Sequence, residues 1–196
     1  MNIQKPITIN QLTIKNRLVL PPMAVAKAGA SDEASDKVID YYSQRAKLGG
    51  IGLIITEHLY IHKQGKAHPG QMSIATDDTA GSFVRLTDAV HTEGVKIFAQ
   101  LSHAGTAASK SITGAVPVGP SPMFHPTQRK ELPEELTKDQ IQEIVRSFTD
   151  AAIRAKNAGF DGVEIHSAHG YLLNQFYSPL YNHRTDEYGC DTMENR

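Results

Sequence analysis

Two histidines and a tyrosine stand close together in the stretch Glu164–Tyr171, which reads EIHSAHGY. Imidazole N–H groups of His166 and His169, directed at one carbonyl oxygen, would stabilise the negative charge that grows there when a nucleophile adds to a conjugated double bond. A phenol with an ordinary pKa of about 10 keeps its proton at neutral pH, so Tyr171 could deliver that proton to the carbon beside the carbonyl. These residue types therefore predict conjugate reduction, although the stretch contains no source of hydride.

The same pair of histidines could instead bind a metal ion, because imidazoles at short spacing can share one cation. A zinc site needs three or four ligands, and the residues near His166 and His169 offer no clear carboxylate or thiolate as a third. We therefore predict no metal site and keep a metal-dependent barrel hydrolase that uses these two histidines as the alternative. In a second alternative, one of the histidines only holds the turn through a hydrogen bond to the backbone.

Strands that are apolar throughout, each followed by a helix, are the elements that would position these residues. The strand patterns are Arg17–Leu20, Ile51–Thr56, Val95–Leu101 and Asp161–His166. The other patterns are helices over Ser35–Leu48 and Asp78–Glu93, a capping box at Thr137–Gln140 that opens a helix ending at Asn157, and a hairpin of Ile7–Ile9 with Leu12–Ile14. Such strands pair in parallel beneath helices, which leaves an open doubly wound sheet or a (β/α) barrel.

Polar and proline residues stand at or just past the ends of these strand patterns. The four segments are Pro21–Met23, Glu57–His58, Gln100–His103 and His166–His169. In both architectures the ligand binds at the carboxyl ends of the strands, so we expect these segments to line one site. No Gly-x-Gly-x-x-Gly motif follows the first strand, which disfavours a dinucleotide-binding open sheet.

The length of the chain fits only part of a barrel. Four strand–helix units occupy most of the 196 residues, whereas a closed barrel of eight units usually needs about 250 residues. A further helix-start pattern, Asp191–Glu194, comes just before the sequence ends at Arg196. We therefore expect residues 1–196 to form the first half of an α/β, (β/α)8 TIM barrel, with about four βα units after the N-terminal hairpin and strands 5–8 absent.

The composition is that of a globular protein with balanced charge: 20 Lys and Arg stand against 21 Asp and Glu, and 40% of the residues are hydrophobic. A near-neutral chain lacks the basic excess typical of proteins that bind nucleic acid or anionic membranes. No window of about 18 apolar residues could span a bilayer, and Met1–Pro6 does not resemble a signal peptide. The lone cysteine, Cys190, cannot form an internal disulfide, which favours a location in the reducing cytoplasm.

Long segments of the chain resemble the Old Yellow Enzyme family, most closely its bacterial NADH:flavin oxidoreductase and 2,4-dienoyl-CoA reductase-like branch. The segments that carry the resemblance follow the family's order and are Lys15–Met23, Gln100–Gly105, Gly159–Phe176, Ser178–Gly189 and Glu194–Arg196. The resemblance implies an FMN-containing (β/α)8 barrel that reduces activated alkenes, such as enones and enoyl thioesters, by ping-pong hydride transfer. NAD(P)H would reduce the flavin, whose N5 would then pass hydride to the β-carbon of the alkene substrate.

The resemblance also implies a role for each matching residue. His166 and His169 would hold the substrate carbonyl, or the nicotinamide amide, above the flavin, and Tyr171 would be the proton donor. Gln100 would hydrogen-bond the pyrimidine side of the flavin. His58 stands where the family commonly has a small residue, and it would contact the ring if it points inward. The implied cofactor-binding residues are Pro21, Pro22, Met23, Ala24, His58 and Gln100.

Three departures from the family's pattern affect the flavin and the substrate. Ala24 replaces the Thr or Cys that often tunes the flavin, so we expect a slightly lower flavin midpoint potential, which should rise in Ala24→Thr. Thr106 replaces a usual arginine, and Ala26 stands where some relatives have a substrate-facing tyrosine. The resemblance therefore leaves the substrate range open.

The expected absence of barrel strands 5–8 has two consequences for the isolated chain. A flavin-facing arginine on strand 5 and the phosphate-binding loops after strands 7 and 8 would lie beyond Arg196, so we expect the chain alone to bind FMN weakly or not at all. Exposed strand edges and an uncovered apolar face favour self-association. A non-catalytic, self-associating polypeptide is therefore a third interpretation of the sequence.

Overall fold

A computed structural model describes residues 2–127, 130–192 and 194 of the chain. The strands are Ile7–Ile9 (β1), Leu12–Ile14 (β2), Val19–Leu20 (β3), Leu53–Tyr60 (β4), Lys96–Ser102 (β5), Val118–Gly119 (β6), Glu134–Glu135 (β7) and Gly162–Ile165 (β8). The α-helices are Asp36–Lys47 (α1), Asp77–Gly81 (α2), Phe83–His91 (α3), Lys110–Thr113 (α4), Lys138–Asn157 (α5) and Leu172–Tyr177 (α6). Short 3-10 helices span Lys63–Gly65 and Gly105–Ala107.

These residues form two compact units that alternate along the chain. The first unit comprises the described residues of Met1–Leu59, Gly70–Leu101 and Asp150–Glu164, and the second those of Tyr60–Pro69, Ser102–Thr149 and Ile165–Arg196. Part of the predicted helix start at Asp191–Glu194, and most of the last family-like segment, lie outside the described residues: Met193, Asn195 and Arg196.

The first unit is built around a sheet with the strand order β3-β4-β5-β8. β3 pairs in parallel with β4, where Val19 is opposite Leu53 and Leu20 is opposite Ile54, so the predicted parallel pairing is confirmed for these strands. The side chains of Ile54 and Ile97 are fully buried. Strands covered on both faces have no polar side, which explains the uninterrupted apolar runs in the sequence.

The first helix and the N-terminal hairpin of the first unit form where their sequence patterns predict. The α1 helix starts after Ser35, whose hydroxyl accepts the Val38 N–H (3.3 Å) as an N-cap. On α3, the Thr87 hydroxyl donates to the Ala158 carbonyl oxygen just past α5 (2.7 Å). The hairpin of β1 and β2 is antiparallel, as predicted. The α1 helix and the hairpin therefore form where local sequence rules place them.

The second unit contains the start of α5 and the proline- and glycine-rich segment 114–133. The predicted capping box is present: the Thr137 N–H donates to Gln140 Oε1 (2.9 Å), and the Gln140 N–H donates to Thr137 Oγ1 (3.2 Å). A two-pronged ion pair also forms, in which Arg184 Nε and Nη2 contact the two oxygens of Asp186 at 3.0 and 2.6 Å. Arg184 Nη1 donates to the Leu136 carbonyl oxygen as well (2.6 Å), so this cluster braces the unit.

The structure corrects two of the predicted elements. β4 ends at Tyr60 rather than at Thr56, so Glu57 and His58 lie inside a strand and not just past its end; their hydrogen bonds, described below, allow polar side chains in that position. The single helix predicted over Asp78–Glu93 is two helices, α2 and α3. They divide at Ser82, whose hydroxyl donates to the Thr79 carbonyl oxygen (2.6 Å) and accepts the Ala34 N–H (2.8 Å).

The helices have no membrane-spanning character in the part of the chain that the structure describes, since none is both long enough and apolar enough to cross a bilayer. The longest helix, α5, has 20 residues and carries charged side chains along its length. A location in the cytoplasm stays a prediction.

Candidate active site

Glu57, in the middle of β4, holds the chain segment that follows β3. Its side chain is buried, and Oε2 accepts hydrogen bonds from the backbone N–H groups of Val25 (2.8 Å) and Ala26 (3.1 Å). The Glu57 N–H donates to the hydroxyl of Tyr42 on α1 (2.7 Å), and burial raises the pKa of that phenol. Hydrogen bonds to an ionised acceptor are about twice as strong as neutral ones. The carboxylate therefore fixes the backbone directly after Ala24.

The same segment turns sharply at Ala26, whose backbone is left-handed (φ 54°). Gly70 packs directly against this turn, because a Cβ at Gly70 would lie 2.6 Å from the Ala26 carbonyl oxygen. The Gly70 carbonyl oxygen also accepts the Ala28 N–H (3.0 Å). A side chain at Gly70 would displace the turn, so the course of the segment depends on residues far from it in sequence.

Pro21, Pro22, Met23 and Ala24 lie together on the short segment between β3 and this turn. Pro21 and Ala24 are exposed, and the Met23 side chain is 61% exposed. The two proline rings restrict the backbone ahead of Met23. The segment therefore presents a conformationally restricted, partly apolar surface.

His58 follows Glu57 in β4 and is half-buried. The side-chain nitrogen of Gln71, a fully buried residue, lies 2.9 Å from His58 Nδ1 and 3.0 Å from the His58 carbonyl oxygen. A carbonyl oxygen can only accept, so this nitrogen is the amide NH2 and it donates to Nδ1 as well. The proton of the neutral His58 ring therefore resides on Nε2.

Gln100 and Glu164 form a side-chain pair across the neighbouring strands β5 and β8. Gln100 Nε2 donates to Glu164 Oε1 at 2.7 Å, and Gln100 is 7% exposed. Gln100 lies two residues before the end of β5, rather than at its end. The pairing gives the buried Gln100 amide a defined partner, which sequence reasoning did not predict.

His166, His169 and Tyr171, all in the second unit, are in mutual contact. His166 Nε2 lies 3.3 Å from His169 Nδ1, and the Tyr171 ring stacks on the His166 ring with centroids 4.8 Å apart and an interplanar angle of 23°. His166 is buried and His169 is exposed, and burial raises the pKa of the Tyr171 phenol. The three residues that the sequence singled out therefore form one cluster, which we call the imidazole group.

The backbone of the imidazole group turns through left-handed conformations at His169 (φ 59°) and Gly170 (φ 72°). The buried amide of Gln175, on α6, braces this turn. Its Nε2 donates to the carbonyl oxygens of Gly170 (2.6 Å) and Ala104 (3.1 Å), and its Oε1 accepts the Thr106 N–H (3.1 Å). A left-handed non-glycine residue needs such support, because the conformation is unfavourable by itself.

His103 is a further buried histidine of the second unit, and the sequence did not assign it a role. Its Nδ1 accepts the Gly105 N–H (3.1 Å), and its carbonyl oxygen accepts the Leu172 N–H (2.9 Å), directly after Tyr171. Burial, with a smaller contribution from the nearby His62, lowers the pKa of His103 to about 3. The ring is therefore neutral at pH 7.

The structure thus divides the predicted site residues between the two units, and it shows mutual contact among the three residues of the imidazole group. The imidazole group lies in the second unit. The first unit holds the other residues, which we call the strand-end group: Pro21, Pro22, Met23, Ala24, His58 and Gln100. The residues that hold these groups were missed or misplaced by sequence reasoning, namely Glu57, Gly70, Gln71, Glu164 and Gln175. A polar residue inside an otherwise apolar strand pattern, as at Glu57 and Glu164, was the one available signal.

The sequence profile of the NADH:flavin oxidoreductase / NADH oxidase family matches residues 2–196. The chain belongs to this family. The NADH oxidase of Thermoanaerobacter brockii is 47% identical over 186 residues, which are 92% of this chain and 28% of that protein. The NADH:acrylate oxidoreductase of Vibrio harveyi is 40% identical over 177 residues, which are 90% of this chain and 17% of that protein.

A solved structure of an Old Yellow Enzyme homologue from Zymomonas mobilis matches the whole chain with a TM-score of 0.91 and 33% sequence identity. The match covers 56% of that homologue, so this chain spans well under two thirds of each relative named here. The predicted family and the predicted fold class, the first half of a (β/α)8 barrel, are confirmed. Members of this NADH:flavin oxidoreductase family use FMN, with NAD(P)H as the reductant.

The strand-end group fits an FMN ring. Gln100 donates its amide to Glu164, and no donor among the described residues reaches the Gln100 carbonyl oxygen, which leaves an acceptor for a ring N–H. Met23 adds exposed apolar surface beside two prolines. A mostly apolar lining with a few oriented polar groups is typical of cofactor sites.

The hydrolase alternative required a metal ion held by His166 and His169. Within residues 2–127, 130–192 and 194, the structure contains no group of three or more His, Cys, Asp or Glu side chains that could hold one. The structure gives this alternative no supporting observation, and it stays an untested prediction.

Proposed function

We propose that this chain supplies the flavin-side and carbonyl-binding residues of an FMN-dependent NAD(P)H oxidoreductase that reduces activated C=C bonds, such as those of enones and enoyl thioesters. The observation that carries the proposal is the imidazole group, in which His166 and His169 are within hydrogen-bond distance and Tyr171 stacks on His166. The name of the Vibrio relative supports the same substrate class, because acrylate is an alkene conjugated to a carboxylate.

His166 and His169 hold the carbonyl oxygen of the substrate in this proposal. An oxygen that enters between His166 Nε2 and His169 Nδ1 replaces the 3.3 Å contact between the two rings and accepts an N–H from each. These donors withdraw electron density from the conjugated double bond and stabilise the negative charge that develops on the oxygen. The pair therefore acts on the substrate only when both facing nitrogens carry protons.

Tyr171 delivers the proton that completes the reduction. Burial keeps the pKa of its phenol above the ordinary value, so the group is protonated at neutral pH. FMN, when bound, supplies the hydride, which it receives from NAD(P)H. Tyr171 gives its proton to the carbon next to the carbonyl, and water restores the phenol, so the alkene gains one hydride and one proton.

The strand-end group holds the flavin ring in this proposal. Pro21, Pro22, Met23 and Ala24 would lie along the ring, Gln100 would bind its pyrimidine side, and His58 would contact the ring if its side chain points inward. Because Ala24 has no hydroxyl or thiol, we expect Ala24→Thr to raise the flavin midpoint potential, measured by a redox titration. An unchanged or lower potential would count against a ring contact at this position.

The reaction belongs, we propose, to a longer protein of which this chain forms the first half. The 196-residue chain alone binds FMN weakly or not at all and associates with a second copy of itself. A yellow preparation of the isolated chain with stoichiometric FMN would contradict the first statement. A single monomeric species in analytical ultracentrifugation would contradict the second.

The test of the proposed function separates the two half-reactions of that longer protein. Tyr171→Phe should leave reduction of the flavin by NAD(P)H nearly intact and slow reoxidation by an enone by about 100-fold or more. His166→Ala should weaken enone binding and slow the same half-reaction. Equal loss of both half-reactions in Tyr171→Phe would rule out the proton-donor role. Activity that needs no flavin and disappears with a chelator would favour the hydrolase instead.

A further inference from the structure

We infer that Glu164 is a positioning residue that fixes the orientation of the Gln100 amide, so that the Gln100 carbonyl oxygen receives an N–H donor of the bound cofactor. The inference rests on the proposed cofactor-binding role of Gln100. Glu164 itself is not expected to contact the cofactor, and the ligand meets the carbonyl end of the Gln100 amide rather than its NH2 end.

The orientation follows from the chemistry of the pair. A glutamine amide can turn by 180° about its last bond and keep its shape while exchanging its donor and acceptor ends. An ionised carboxylate can only accept, so the 2.7 Å contact with Glu164 Oε1 requires the NH2 end of Gln100. The reversed amide would place two acceptor oxygens against each other at that distance.

The position of the pair in the sheet keeps the Gln100 amide in this orientation. Gln100 is 7% exposed, so water competes poorly for its NH2 group, and a charge-assisted hydrogen bond is stronger in such surroundings. Both residues lie within regular strands, β5 and β8, that are neighbours in the sheet. The backbone therefore offers little freedom to break the pair.

A ligand that binds the Gln100 side chain must therefore supply a hydrogen-bond donor. With its NH2 end directed to Glu164, Gln100 offers its carbonyl oxygen as the acceptor, and that oxygen has no donor among the described residues. The pyrimidine half of a flavin carries one N–H group, N3–H, between two carbonyl groups. Glu164 thus makes Gln100 selective for N3–H without touching the cofactor.

The first test uses the 196-residue chain without flavin. The side-chain amide resonances of Gln100, observed by NMR after ¹⁵N-glutamine labelling, should show slow exchange with solvent and a downfield proton bonded to Glu164. In Glu164→Leu the downfield proton should disappear, whereas Glu143→Gln, an exposed carboxylate on α5, should leave it unchanged. Rapid exchange of the Gln100 amide in the unmodified chain would overturn the inference even if every variant failed to fold.

The second test compares FMN with its N3-methylated analogue in the longer protein. The ratio of the affinity for FMN to the affinity for the N3-methylated analogue should be greater than one. This ratio should fall by about 10-fold in Glu164→Gln, because a neutral amide at position 164 can pair with either orientation of Gln100. Glu164→Asp, which keeps the charge, should recover part of the ratio, and Glu143→Gln should keep all of it. An unchanged ratio in Glu164→Gln with normal FMN binding would refute the positioning role alone. Failure of the unmodified protein to bind FMN would instead refute the proposed function.

Discussion

Different contacts are observed in the strand-end group and in the imidazole group. Members of the strand-end group are fixed by partners outside the group: the buried Glu57 holds the backbone after Ala24, the buried Gln71 holds His58, and the half-buried Glu164 holds Gln100. In the imidazole group, the side chains contact one another, and outside support reaches the backbone through Gln175.

This difference matches two different tasks. A permanently bound cofactor gains from a surface whose groups are already oriented, since no contact has to be broken on binding. In the proposed function, a substrate carbonyl that enters between the two imidazoles would replace their mutual contact at each turnover. Stability should therefore depend on the partners of the strand-end group, whereas His169, the exposed member of the imidazole group, should affect ligand binding more than folding.

The largest expected effect is a pH dependence of stability caused by His103, which lies in the same unit as the imidazole group. Because burial lowers the pKa of His103 to about 3, the unfolded chain binds a proton there below about pH 6.5 while the folded chain does not. His103 therefore does not lower the free energy of unfolding above about pH 6.5. As the pH falls from there toward 3, the free energy of unfolding decreases by about 1.4 kcal/mol per pH unit.

Urea unfolding between pH 7 and pH 4 measures this loss. A His103→Gln variant should lose stability at pH 7 but show a shallower pH dependence than the unmodified chain. His183→Gln, at an exposed histidine of the same unit, is the control and should keep the full slope. An identical slope in His103→Gln would show that this histidine does not respond to acid.

The next largest effect is expected at Glu57, whose carboxylate holds the backbone directly after Ala24. Glu57→Leu leaves the N–H groups of Val25 and Ala26 without their acceptor, and we expect a loss of about 2–3 kcal/mol in unfolding free energy. Glu57→Gln keeps one acceptor oxygen and should lose less than half as much. If both substitutions left the denaturation midpoint unchanged, the segment after β3 would be held by other contacts.

A smaller effect is expected from the brace beneath the imidazole group. Gln175→Leu removes hydrogen bonds to Gly170, Ala104 and Thr106 from a buried site, which should lower the unfolding free energy by about 1–3 kcal/mol. The same change should weaken enone binding in the longer protein because the His169 turn loses its support. Weaker binding without any loss of stability would mean that Gln175 acts on the ligand and not on the fold.

The smallest effect on stability is expected at His169, where the comparison is most direct. Its side chain is exposed, so His169→Ala should change the unfolding free energy by about 0.5 kcal/mol or less. Enone binding should nevertheless weaken clearly, since one of the two donors to the carbonyl is lost. A stability loss as large as that of Glu57→Leu would remove the distinction between the two groups.

Much of the fold was predictable because it is encoded by local pattern. The predicted capping box Thr137–Gln140 forms its hydrogen bonds, and the helix predicted from Ser35 begins directly after that residue. Strand ends were less predictable, since β4 continues through Glu57 and His58. A polar residue normally signals a strand end, and only its buried partners reveal that the strand continues.

The sequence by itself determined the family, the parallel α/β class and the residues His166, His169 and Tyr171, since apolar runs, caps and family motifs are properties of neighbouring positions. Tertiary structure alone decided which groups orient the site. Glu57 lies 32 residues from Val25, Gln100 lies 64 residues from Glu164, and Gln175 lies 69 residues from Thr106. Each of these hydrogen bonds depends on elements brought together by folding, and a distance of 2.7–3.1 Å between side chain and partner is set by packing that no local spacing encodes.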